Sequence, residues 1–146
     1  DLVPRSLDEQ LAWLQARSGA HPCIVATTPE DGVTGWACLS PYRPKAGYAT
    51  SVENSIYVHR DHQGRGVGDL LLAELVRLAD EHGFHSVFAR IAGDNLPSIA
   101  LHHKHGFSTI GIEREVGRKF GKWLEVTVLQ RLTPNTDTLP WSITSS

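Results

Sequence analysis

Along residues 7–17, LDEQLAWLQAR, the leucines Leu7, Leu11 and Leu14 fall on one helical face with Trp13 and Ala16 beside it, and Gly19 follows as a stop signal. This spacing predicts a helix. PCIVATT (22–28) is a short apolar run rich in β-branched residues and predicts a buried strand. PEDG (29–32) has the Pro, Asp and Gly of a turn, and VTGWACLSPY (33–42) is the returning strand. RPKAGYA interrupts the pattern before TSVENSIYVH (50–59), a longer strand. Its parity puts Glu53, Ser55, Tyr57 and His59 on one face and Val52, Ile56 and Val58 on the other. Leu71, Leu75 and Leu78 then mark a helix over Val67–His82, ended by Gly83. HSVFARIAG (85–93) is a strand. NLPSIALHHKHG (95–106) is a short helix with Asn95 as N-cap, Pro97 in its first turn and Gly106 at its end. FSTIGIEREV and KWLEVTVLQRL are two further strands around a GRKFG loop. Trp13 and Trp36 are expected in the core.

The resulting order, α-β-β-β-α-β-α-β-β, describes an α/β fold with an antiparallel front half and a central βαβ unit. At 146 residues the chain holds one domain, read as residues 1–132, with an irregular Thr-, Pro-, Asn- and Ser-rich tail over 133–146. A net charge of −2 argues against a broad polyanion-binding surface, so no nucleic-acid partner is expected. No apolar run reaches the length of a membrane span and no signal peptide is visible, so neither a membrane partner nor secretion is expected. Cys23 and Cys38, on separate strands, are read as free thiols of a cytoplasmic protein. The sequence holds no methionine, which implies a chain trimmed, processed or lacking its first segment.

The stretch VHRDHQGRGVGDLLLAEL (58–75) joins the long strand to its helix through Gly64, Gly66 and Gly68. Clustered glycines allow sharp turning and close approach, and a strand-to-helix turn presents unpaired N–H groups at the positive end of a helix dipole. That suits a phosphate. The P-loop pattern fails, because Asp69 follows Gly68 where a lysine is required. The dinucleotide fingerprint also fails, because the third glycine comes one residue early.

The pattern that fits is Q-x-x-G-x-G, over Gln63, Gly64, Arg65, Gly66, Val67 and Gly68. It resembles the acetyl-CoA pyrophosphate loop of the GCN5-related N-acetyltransferase (GNAT) superfamily. DNLPSIALHHKHGF (94–107) resembles that superfamily's second signature, N-x-x-[AS]-x-x-L-[YH]-x-K-x-G-F, through Asn95, Ser98, Leu101, His102, Lys104, Gly106 and Phe107. GWACLSPYRPKAGYATSVENSIYVHRDHQGRGVG and GRKFGKWLEV resemble the phosphinothricin N-acetyltransferase-like branch. So does PRSLDEQLAWL, which makes Pro4–Leu14 native sequence, although LVPRS looks like a linker scar. Members of the branch open with a strand and helix that are absent ahead of this point. In the branch that segment edges the sheet and helps line the acceptor pocket.

The resemblance implies a GNAT fold, with a mixed, mostly antiparallel central sheet, flanking helices and a βαβ acetyl-CoA core. It implies an acetyl-CoA-dependent N-acetyltransferase acting on a small amino-acid-like amine such as phosphinothricin or methionine sulfoximine. Another amine acceptor (a peptide N-terminus, a polyamine or an antibiotic) and a non-catalytic acyl-CoA-binding module are the alternatives.

Acetyl transfer needs a base for the ammonium, donors for the developing oxyanion and a way out for the thiolate. Glu53 falls where the family places its base, with His59 as runner-up, and His102 is the expected acid. The oxyanion donor is a backbone N–H between Tyr57 and His59, Val58 among them, where superfamily strands part. Arg65 can add a charge-assisted phosphate contact and Asn95, besides capping, touches the pantetheine arm. Ser98 completes the cofactor set. Arg43 and Lys45, flanking Pro44 in a loop, match the family's basic pair near the acceptor's acidic groups. His102 and His105 share a helical face without a carboxylate or cysteine to complete a metal site, and His103 and His105 are read as surface residues. No metal is expected. In the family the GRKFGKW loop helps complete the pocket and the dimer, so a homodimer is expected.

Overall fold

A computed structural model describes residues 21–134 together with the backbone of a short strand at 12–14. Among the described residues seven strands form one sheet in the order β1-β2-β3-β4-β5-β7-β6. They are β1 (Ala12–Leu14), β2 (Cys23–Thr28), β3 (Gly32–Pro41), β4 (Ser51–Val58), β5 (Ser86–Ala92), β6 (Ser108–Lys119) and β7 (Lys122–Leu132). Helix α1 (Val67–Glu81) links β4 to β5, and helix α2 (Leu96–Lys104) links β5 to β6. Short 3₁₀ turns lie at Ala46–Tyr48 and Arg60–His62. β4 and β5 pair in parallel, as a helical crossover requires, while the other described neighbours are antiparallel.

The core lies on one face of this sheet. α1 buries Val67, Leu71, Leu72, Leu75, Leu78 and Ala79 against Ile24, Ala37, Leu39, Val52 and Val87. A fully buried leucine contributes about 1.5–3 kcal/mol. Four of them outweigh the weak intrinsic preference of a 15-residue helix in water. α2 is different. Asn95 caps it by accepting from Ser98 N–H (3.3 Å), and its one fully buried side chain is polar, that of His102.

Four sequence expectations differ from the structure. Ala12–Leu14 is strand paired antiparallel with β2, where a helix was expected; the remainder of 7–17 lies outside the described residues. An unpaired strand edge supplies backbone partners that override local periodicity. The expected free thiols are a disulfide between Cys23 and Cys38. Leu39 N–H donates to Pro22 O, so the next pair, Cys23 opposite Cys38, is a non-hydrogen-bonded cross-strand pair with Cα atoms 4.2 Å apart. Trp36 was expected in the core, yet it is 40% exposed. Alternation along β3 sends Ala37 and Leu39 inward and Trp36 to the opposite face, where it stacks on Tyr57. The expected GRKFG loop is also shorter. β6 runs on to Lys119, and Phe120–Gly121 alone form the turn, both at positive φ. The tail beyond residue 134 lies outside the described residues.

Candidate active site

The glycine turn forms the floor of a groove of about 480 Å³, lined by Val58, Gln63, Gly64 and Gly66 on one side and by Asn95, Ser98 and His102 on the other. Gly66 is the N-cap of α1, with φ 86° and no side chain to cap the helix, so the first-turn N–H groups face the groove unpaired by a cap. A Cβ added at Gly64 or Gly66 would meet nothing within 4 Å, so the backbone there faces open space. Together these features give an uncapped helix terminus at an open backbone, which fits a pyrophosphate. Gln63 Nε2 donates to Val58 O (3.2 Å) and braces the turn. Of the expected cofactor residues, Val67 is buried in the core beneath the turn and Arg65 is exposed beside it, and neither lines the groove. Asp69, also in the groove wall, is held by His105 (2.7 Å) and Lys104 (2.9 Å). Their hydrogen bonds hold its carboxyl below the ordinary range, so His105 clasps α1 to α2 and is not the free surface residue expected.

At its far end the groove meets a split in the sheet. β4 and β5 pair only from Ser51/Ser86 to Glu53/Phe88, and beyond that they part. His59 N–H donates to Thr34 O (2.8 Å) and Tyr42 N–H to Ser51 O, so the odd residues of β4 bond to β3. By alternation the N–H groups of Asn54, Ile56 and Val58 face the split. Of the expected oxyanion donors, His59 and Tyr57 are therefore turned to β3, and Val58 points into the opening.

A cavity of about 270 Å³ fills the split, and in it Glu53 and Arg90 meet Asn95, Ser98 and His102. Glu53 thus shares a space with residues of the cofactor groove. Ion pairing with Glu113 raises the Arg90 pKa above the ordinary arginine value, with a smaller contribution from Glu53 nearby. His59, the runner-up base, is placed elsewhere: its Nδ1 accepts from Asp61 N–H (3.1 Å) and caps the 3₁₀ turn. Arg43 lies over the Tyr42 ring (4.6 Å) and donates to its hydroxyl. Tyr42 in turn stacks on Phe88, the register neighbour of Glu53. Arg43 therefore belongs to an aromatic cluster on the Glu53 face, and Lys45 is exposed at the cap of the adjoining 3₁₀ turn.

His102 is 3% exposed, with Nδ1 2.8 Å from Ser98 O and Nε2 3.2 Å from the Asn54 side-chain nitrogen. A carbonyl only accepts, so Nδ1 carries the ring proton and Nε2 accepts from the Asn54 amide. Burial lowers the His102 pKa, which favours this neutral ring. Nε2 then has no proton to give, so the acid role expected of His102 does not suit this arrangement.

Asn54 and Arg90 were missed in the sequence. For Asn54 a signal was present: a polar residue at the parity of Val52, Ile56 and Val58 on a core-facing side. Arg90 lacks one, because an arginine on a strand's outer face is common. Among the described residues no group of three or more His, Cys, Asp or Glu is placed to hold a metal.

Residues 2–107 match the model of the Acetyltransferase (GNAT) family. The chain is 38% identical over 129 residues to an L-methionine sulfoximine/L-methionine sulfone acetyltransferase of Pseudomonas paraeruginosa, covering 88% of this chain and 75% of that protein. It is 40% identical over 134 residues to a phosphinothricin N-acetyltransferase of Streptomyces coelicolor, covering 90% and 78%. A solved GNAT-superfamily phosphinothricin acetyltransferase from Sinorhizobium meliloti, in complex with acetyl-CoA, superposes with a TM-score of 0.79 at 36% identity, covering 88% of this chain and 71% of that one.

Proposed function

The chain belongs to the GNAT acetyltransferase family, and on that premise we propose that it transfers the acetyl group of acetyl-CoA to the amine of a small anionic amino-acid-like acceptor, of the phosphinothricin or methionine sulfoximine type. One observation carries the reading: the β4/β5 split joins the groove at the glycine turn to the cavity holding Glu53. A thioester lying along that groove and an amine arriving from the Glu53 face would meet in the split. Glu53 takes the ammonium proton, which frees the lone pair for attack. The Val58 N–H, with Ile56 beside it, stabilises the charge that develops on the carbonyl oxygen. As that adduct collapses the C–S bond breaks, and the CoA thiolate leaves and takes up the proton that the attached nitrogen loses on becoming an amide. The glycine turn and the first turn of α1 hold the pyrophosphate, and Asn95 and Ser98 line the pantetheine path.

Arg43, fixed over Tyr42, is placed for the acceptor's carboxylate or phosphinate, with Lys45 beyond it. The test is a screen of acceptors by release of free CoA. Phosphinothricin or methionine sulfoximine should outperform spermidine, an aminoglycoside and an N-terminal alanyl peptide. Arg43→Ala should raise KM for the acid by roughly tenfold, the loss of one charge-assisted contact, and leave KM for acetyl-CoA unchanged. Preference for the polyamine, or an unmoved KM for the acid, would rule out the anionic acceptor while leaving acetyl transfer in place.

A homodimer formed through the β6–β7 hairpin is part of the same proposal. Ile110, Ile112, Val116 and Trp123 are exposed on it, and Phe120 at its tip is 91% exposed at φ 51°. A large apolar side chain in left-handed backbone at a solvent-facing tip costs about 1–3 kcal/mol, which a contact made by that ring offsets. Light scattering should report a dimer, and Phe120→Gly, which relieves the backbone and deletes the ring, should shift it toward monomer. An unchanged dimer would place the interface elsewhere. No described helix is long and apolar enough to cross a membrane.

A further inference from the structure

Resting on the acetyltransfer reading, we propose that Asn54 is a positioning residue of the active site: its amide holds Nε2 of His102 and thereby ties α2 to β4 at the point where the sheet splits. Both side chains are withdrawn from solvent, at 7% and 3% exposure, and both reach the split cavity. His102 is the one fully buried side chain of α2, in a helix with little apolar surface to anchor it. The helix is held at its start by the Asn95 cap and along its outer edge by the Lys104 and His105 contacts to Asp69. Its inward anchor is the imidazole. Ser98 O takes the Nδ1 proton, Phe107 lies edge-on at 4.9 Å, and Asn54 supplies the remaining bond from the opposite wall.

The two partners divide the site between them. Asn54 sits one residue beyond Glu53, where β4 leaves β5, and His102 sits one turn beyond Ser98 on the wall of the cofactor groove. Their bond spans the opening through which the thioester must meet the amine, so it sets the distance between the two walls. A misplacement of about 1 Å in such a site costs up to roughly a hundredfold in rate. The arrangement also selects the ring's proton state. The charged and titratable groups around it are His103 and His105 on its own helix, Asp69 on α1 across the groove, and Glu53 and Arg90 on β4 and β5 across the split cavity. Asn54 is the group that touches Nε2. By donating to it, the amide keeps the ring neutral beside the position where the acetyl carbonyl reacts.

Imidazole-nitrogen NMR of the unaltered protein at neutral pH should show His102 with Nδ1 protonated and Nε2 bearing a lone pair. A protonated Nε2 would overturn the proposal. Asn54→Asp presents only acceptors, so Nε2 should gain a proton. kcat should then fall roughly ten- to a hundredfold, with acetyl-CoA affinity within about twofold, and the pH profile of kcat should acquire an added ionisation. Asn54→Leu, which keeps the branched shape but has no polar atoms, should lower kcat likewise without that ionisation. A purely structural role would alter stability but add no titrating step. Folded variants with unaltered kcat and pH profile would overturn the role. Failure of the unaltered protein to bind acetyl-CoA in calorimetry would instead overturn the acetyltransfer reading, and this role with it, even where NMR shows the bond.

Discussion

Glu53→Gln is expected to lower turnover by roughly 10²-fold or more while leaving acetyl-CoA affinity nearly unchanged. The amine of an amino acid is mostly protonated at neutral pH and an ammonium cannot attack a carbonyl, so a base must act first. Glu53 is a half-buried carboxylate at the last β4–β5 pair, in a cavity shared with residues of the cofactor groove. Glutamine keeps the shape and removes the basicity, so fold and cofactor groove should survive. Raising the pH supplies more free amine, and the variant should therefore recover part of its rate in alkali. Wild-type turnover in the variant across pH 6 to 9 would mean that the base is elsewhere; His59, engaged in its own turn, is the next residue to replace.

Gly66→Val is expected to abolish measurable acetyl-CoA binding, or at least to weaken it by about tenfold. Two effects act together. The backbone at Gly66 is left-handed, φ 86°, where a β-branched side chain costs about 1–3 kcal/mol. The new side chain would also enter the open space at the helix terminus, where phosphate oxygens would accept from N–H groups. Losing one charge-assisted hydrogen bond costs about 1.5–3 kcal/mol. Gly83→Val separates the effects. Gly83 has φ 79° and an added Cβ there would meet nothing within 4 Å, but it lies at the opposite end of α1. It should lose comparable stability in thermal melts and bind acetyl-CoA normally. Calorimetry on both variants decides: equal affinities in Gly66→Val and Gly83→Val would remove the pyrophosphate from this turn.

Much of the candidate site was legible because its chemistry is local. A helix terminus with uncapped N–H groups, the glycines that leave it open and the capping Asn95 all lie within short stretches of chain. Their geometry follows from backbone conformation alone. Strands β2 to β7, the two helices and the side of β4 that carries Glu53 follow from periodicity for the same reason.

What tertiary structure decided was pairing. The Cys23–Cys38 disulfide depends on the β2/β3 register, and the outward face of Trp36 on which side of β3 the helices cover. The strand at Ala12–Leu14 depends on a free edge of β2, which no local pattern encodes. The reading of His102 changed most. Its place on the groove wall lies within a helical signature, but the partner of its Nε2 is Asn54, 48 residues away in the chain. Sequence determined which residues are candidates for the site, since those positions are set by short-range turns and helical spacing. Only the fold decided which of them carry a proton, because that depends on burial and on partners that contact alone brings together.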